Sequence, residues 1–171
     1  SNHPAATLSV HFGNSASIAG TPDVVAYDSS RGPGVGHVLK PDIAAPGVNI
    51  LSQGYGSSTG ETKHLEFGAV SGTSMASPHV SGAGALLRQL HPEWSNADIK
   101  SALMGTARFT NVFLDNAHTQ LAQPLDIGAG CLDLSRAIDP GLLLDTPSLS
   151  FGQVDVGSDP DPIAVTVRNV G

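Results

Sequence analysis

Between Gly72 and Leu90 the chain passes from a glycine turn directly into an apolar helix, and no other stretch limits the fold as much. Met75, Ala76, Val80, Ala83, Ala85, Leu86, Leu87 and Leu90 leave no broad polar face before Arg88 and Gln89. The pattern predicts a central helix buried nearly all round. Gly82 and Gly84 each cost a helix about 1 kcal/mol against alanine, which close packing must offset. Pro78 has no N–H and is tolerated only in the first turn, so the helix must begin within a few residues of Ser74. Unpaired amides and the positive end of the helix dipole then point toward the Ser74 hydroxyl. That is an environment suited to stabilising an oxyanion.

The elements around this helix are short. Residues 5–12 alternate weakly and read as a strand, and residues 24–27 as a short buried strand running into a Gly- and Ser-rich loop at 29–36. Residues 43–45 and 48–51 are brief strand pieces bent at Pro46-Gly47, residues 53–63 a polar surface loop, and residues 65–70 lead back to the serine turn. Beyond the helix, His91-Pro92 is a stop signal, and Ser95 with Asp98 three residues on is the start signal of a second helix. Ile99, Ala102 and Leu103 give that helix one inward stripe. Residues 109–124 are irregular, and residues 134–138 form a short helix closed by Pro140-Gly141. Short strands alternating with helices predict an α/β fold with a mainly parallel sheet.

From Pro147 the character changes. Leu149, Phe151, Val154, Val156, Ile163, Val165 and Val167 alternate with small or polar residues, which predicts the first strands of a second, β-rich domain. The expected division is residues 1–145 and 146–171.

Composition narrows the function classes. With 171 residues and 40% hydrophobic content the chain can bury one good core. A net charge of −7, with only eight Lys and Arg spread along the chain, leaves no electrostatic footprint for nucleic acid or an anionic membrane. No apolar run approaches the ~20 residues of a membrane span, and the first ten residues carry no export-signal pattern. The single cysteine, Cys131, cannot form an internal disulfide and reads as a small core residue. His91-Pro92-Glu93-Trp94 lacks a second histidine one turn on, so no metal site is expected.

The run Gly72-Thr73-Ser74-Met75-Ala76-Ser77-Pro78-His79-Val80-Ser81-Gly82 resembles the nucleophile motif of the subtilisin-like serine proteases, the subtilases of peptidase family S8. Ser29-Ser30-Arg31-Gly32-Pro33 and Lys40-Pro41-Asp42-Ile43-Ala44-Ala45-Pro46-Gly47-Val48 resemble segments that precede the serine in that family, and Ile127-Gly128-Ala129-Gly130-Cys131-Leu132 a segment near the end of its catalytic domain. The resemblance implies a partial subtilisin-like fold over residues 1–145, with residues 1–12 as the end of an inserted protease-associated domain. It implies the start of a fibronectin type III-like β-sandwich over residues 146–171. It further implies a catalytic role for Ser74, peptide bonds as substrate, no cofactor, and a secreted or cell-envelope location.

A serine hydroxyl needs a base, a carboxylate to orient that base, and oxyanion donors. In the family the aspartate and histidine come before the serine, and neither of their motifs occurs in this chain. Phe12-Gly13-Asn14-Ser15 imitates the oxyanion asparagine only superficially, so Asn14 reads as a turn residue. His79, five residues along the same helix, is turned away from the tip and reads as a packed structural histidine. His64 reads as a loop residue, and His3, His11, His37, His91 and His118 have no motif around them. The chain is therefore expected to be an internal fragment, inactive by itself. Two alternatives stand beside this. A nucleophile elbow of the α/β-hydrolase type would use Asp126 as acid, but His118 precedes it and no histidine follows, so the required order fails. A degenerate subtilase kept for binding or cell-surface display remains open.

Overall fold

The computed structural model describes residues 20–55 and 65–171. In chain order the elements are strands β1 (Ile50–Tyr55) and β2 (Leu65–Val70), helices α1 (Thr73–Leu90), α2 (Asn96–Gly105), α3 (Pro124–Ile127) and α4 (Leu134–Ala137), and strands β3 (Leu142–Leu144) and β4 (Val167–Asn169). A single 3₁₀ turn at Val35–His37 sits in the Gly-rich loop.

The α/β class expected from the sequence is the class observed, with a different balance of pairing. β1 and β2 form an antiparallel hairpin in the register Ile50–Val70 to Tyr55–Leu65, and β3 pairs antiparallel with β4. Parallel pairing is confined to isolated bridges at Val24–Phe113 and Ala44–Cys131 among the described residues. Residues 24–27 make that first bridge rather than a buried strand, and Tyr27 is fully exposed. Residues 53–55, expected in a loop, extend β1; the rest of that loop and the strand expected at 5–12 lie outside the described residues.

Two hydrophobic clusters share a thin wall. Ala83, Leu87, Trp94, Ala102, Leu103, Ala137 and Leu143 form the larger, and Val112, Ala122 and Ile127 the smaller. Ile43 packs on the larger and its neighbour Ala44 on the smaller; opposite them, Leu132 and Cys131 divide in the same way. Successive extended residues point to opposite faces, so two residues on each side suffice to separate the clusters. Amide-to-carbonyl bonds from Ala44 to Gly130 (2.9 Å) and from Leu132 to Ala44 (2.8 Å) hold this wall.

Helix α1 is buried along one line, through Ala83 and Leu87, rather than all round. Leu86 and Leu90 are 49% and 55% exposed, because among the described residues only the side facing α2 is covered. The helix stops where expected: the His91 amide bonds the Leu87 carbonyl, and the His91 ring stacks on Trp94 at 3.8 Å. Helix α2 starts with a complete capping box. The Ser95 hydroxyl takes the Asp98 amide (3.1 Å), and Asp98 takes the Ser95 amide (2.8 Å). Two orphan donors are thereby satisfied.

The alternating stretch from Leu149 onward does not become a run of strands. Residues 149–156 have no ladder among the described residues, and Ser150 instead accepts the Leu39 amide on its hydroxyl at 3.2 Å. Pro160 and Pro162 cannot donate to a ladder in any case. The chain pairs only at β4, which returns across the expected 145/146 boundary to β3. Arg168 of β4 reaches Asp98 of α2, Thr166 donates its amide to Asp145 (3.0 Å), and the buried Ser101 hydroxyl accepts the Leu144 amide at 2.7 Å. The tail is strapped to the start of α2.

Candidate active site

Ser74 is the second residue of α1 and is exposed. Gly72 is the N-cap, at φ 152° and ψ 165°, a conformation essentially restricted to glycine. Having no side chain, Gly72 cannot cap the helix, and the first turn holds no acidic residue. The amides of Thr73 and Ser74 have no partner within the helix, and the turn itself carries no carboxylate to offset the positive end of the dipole. Ser74 thus lies at this amide-bearing tip, in a shallow depression with Thr73, Ser77, Pro78 and Ser81.

Neighbouring segments fix this tip from below. The Gly72 amide donates to the Gly47 carbonyl at 2.8 Å, and the Asn49 amide donates to the Ser71 hydroxyl at 2.9 Å. Earlier in the same stretch, the Asp42 carboxylate takes Lys40 at 2.6 Å and Lys100 of α2 at 3.2 Å. Burial alone would raise the Asp42 carboxyl pKa, but the two lysines outweigh it and hold the value below normal. Ser71 and Asn49 carry no motif that would have singled them out from sequence. The one available signal is that Asn is a residue type that tolerates left-handed backbone.

The described histidines do not complete a catalytic set at Ser74. His79 is exposed rather than packed, and its Nδ1 bonds the Met75 carbonyl at 2.8 Å. The ring of His91 bonds the Ile138 carbonyl (3.0 Å) and that of His118 the Pro22 carbonyl (3.2 Å). His37 closes the 3₁₀ turn. His3, His11, His64 and Asn14 lie outside the described residues. Asp126 is buried and committed to structure, accepting Arg31 at 2.8 Å and the Gln123 amide at 2.7 Å. That ion pair joins the Ser29–Pro33 segment to α3. Cys131 is half-buried in the wall between the clusters, where burial pushes its thiol pKa up. Among the described residues no group of His, Cys, Asp and Glu could hold a metal ion. No helix there is long and apolar enough to cross a membrane.

The chain belongs to the subtilase family of peptidase S8, whose sequence pattern matches residues 5–130. It is similar to subtilisin-like protease SBT1.7 of Arabidopsis thaliana, with 44% identity over 154 residues that cover 84% of this chain and 20% of that protein. Subtilisin-like protease SBT1.3 of the same plant is 47% identical over 133 residues, covering 71% of this chain and 17% of that protein. Among solved structures, fervidolysin from Fervidobacterium pennivorans, described as a keratinolytic enzyme related to subtilisin, aligns with 57% of this chain and 15% of its own at 29% identity and a TM-score of 0.44. The chain spans about a fifth of the length of the curated relatives it matches.

Proposed function

We propose that Ser74 is the nucleophile of a serine endopeptidase that cleaves peptide bonds through an acyl-enzyme. The observation carrying this reading is the exposed Ser74 at the second position of α1, beside amides that have no partner within the helix and with no acidic residue in the turn. In this reading the Ser74 oxygen attacks the scissile carbonyl, its amide helps hold the oxyanion, and a histidine accepts the proton. That histidine, its aspartate and the oxyanion asparagine are contributed by the rest of the whole protein. The 171-residue chain by itself does not turn over peptide. Polypeptides are the substrates, and family resemblance supports a secreted or cell-envelope location.

The test is labelling by a fluorophosphonate probe, which forms a covalent bond to an activated serine with loss of fluoride. The full-length protein is labelled on Ser74, Ser74→Ala abolishes the label, and the 171-residue chain is labelled far more slowly. Labelling that survives Ser74→Ala, or equal rates for the chain and the full-length protein, overturns the proposal. A full-length protein that is not labelled at all leaves the non-catalytic binding reading.

A further inference from the structure

Among the described residues the register of the β1–β2 hairpin breaks at one place, the approach to Ser74. Its last regular pair is Ile50–Val70. Continued in register, Asn49 would face Ser71 and Val48 would face Gly72. Instead the Gly72 amide donates to the Gly47 carbonyl at 2.8 Å, an offset of one residue. The extra residue on the 47–50 side is Asn49, which stands at φ 53°. The Asn49 amide donates to the Ser71 hydroxyl at 2.9 Å, so a side-chain oxygen joins the two strands at the step where the register shifts. The result is a β-bulge, a device that bends a strand and re-aims the residues beyond it.

Those residues are Gly72 and then Ser74, three positions from the hydroxyl that closes the bulge. We propose that Ser71 is a positioning residue for Ser74: its hydroxyl, as acceptor for Asn49, sets the angle at which the hairpin delivers the first turn of α1. The inference rests on Ser74 being a nucleophile. Its specific content is that an acceptor oxygen is needed at position 71, not merely a small side chain. Reactivity depends on such angles because displacements of about 1 Å cost large factors in rate.

The experiment uses the full-length protein with Ser71→Ala, Ser71→Thr and, as a control hydroxyl on α4, Ser135→Ala, at a temperature where melting curves show every variant folded. Ser71→Ala should slow fluorophosphonate labelling of Ser74 and lower kcat by about fivefold, the worth of one hydrogen bond. KM for a peptide substrate should stay unchanged. Ser71→Thr, which keeps the acceptor, should restore most of the rate, and Ser135→Ala should match the wild type. Equal rates for Ser71→Ala and wild type overturn the inference. So does a Ser71→Thr variant as slow as Ser71→Ala, because the oxygen is then not what matters. A wild-type protein that takes no label refutes the function reading itself, a result distinct from either of these.

Discussion

The carbonyl of Gly47 and the amide of Gly72 meet at 2.8 Å directly beneath the first turn of α1, and the two positions need glycine for different reasons. At Gly47 the limit is space, since a Cβ there would lie 2.8 Å from the Gly72 carbonyl oxygen and 3.2 Å from the Ala76 Cβ. At Gly72 there is room, the nearest atom being the Met75 sulfur at 3.7 Å, but the backbone conformation is one that L-residues avoid. Gly47→Ala and Gly72→Ala should each lower stability by about 1–3 kcal/mol, read from thermal or urea unfolding. Because they act on one contact, the double variant should lose less than the two single losses added together.

The one-sided burial of α1 predicts a sharp contrast between leucines three residues apart. Leu87 is fully buried and Leu90 is 55% exposed. Leu87→Ala should cost about 2–5 kcal/mol. Leu90→Ala should stay within about 0.5 kcal/mol. Urea unfolding of the 171-residue chain checks both, and comparable losses would mean that the outer face of α1 is covered in solution.

The strap between the tail and α2 should be acid-sensitive. The Ser95 amide, and after it the Ser95 hydroxyl and Arg168, hold the Asp98 carboxyl below its ordinary value of 3.8. A depressed folded-state value means the contribution is present in full above the unfolded carboxyl's range. It is lost as the pH falls through the lower folded value. Stability should therefore decline as the pH drops below 3.8, and less steeply in Asp98→Asn. Asp98→Asn keeps the Ser95 hydroxyl cap and weakens only the reciprocal half of the box, so it should also lower stability slightly near neutrality. Arg168→Gln leaves the cap in place and should speed amide exchange at β3 and β4 while sparing α2.

Cys131 should be a poor nucleophile. Burial raises its thiol pKa, and the nearby Arg108 guanidinium offsets this only in part. At mildly alkaline pH the folded chain should react with a thiol reagent more slowly than the urea-unfolded chain. Equal rates would place the thiol in open solvent.

Local signals are legible in the sequence and long-range ones are not. Ser95 and Asp98 announce the α2 cap because a capping box is complete within four residues, and His91-Pro92 ends α1 where expected for the same reason. The start of α1 near Ser74 also follows from nearby residues. The Asn49–Ser71 bulge joins residues far apart in the chain through an amide and a hydroxyl, neither of which has a pattern of its own. The tail departs from its sequence pattern for a related reason. Its alternation from Leu149 to Val165 records which residues prefer a half-buried surface, while pairing at Val167–Asn169 depends on the open edge that β3 offers. The breadth of the apolar surface on α1 is plain in its sequence, but what covers it is a property of neighbours and not of the helix.

Pro78 bears on how the tip of α1 behaves. It is the sixth residue of the helix, and the donor it lacks is the one that would have bonded the Ser74 carbonyl. The leading turn is thus missing a rung of its own ladder and depends on the Gly47 and Ser71 contacts from outside the helix. Mild heating should therefore loosen this turn while the segment from Ala83 to Leu87 stays intact, so that the Ser74 end of the helix and the core melt as separate events.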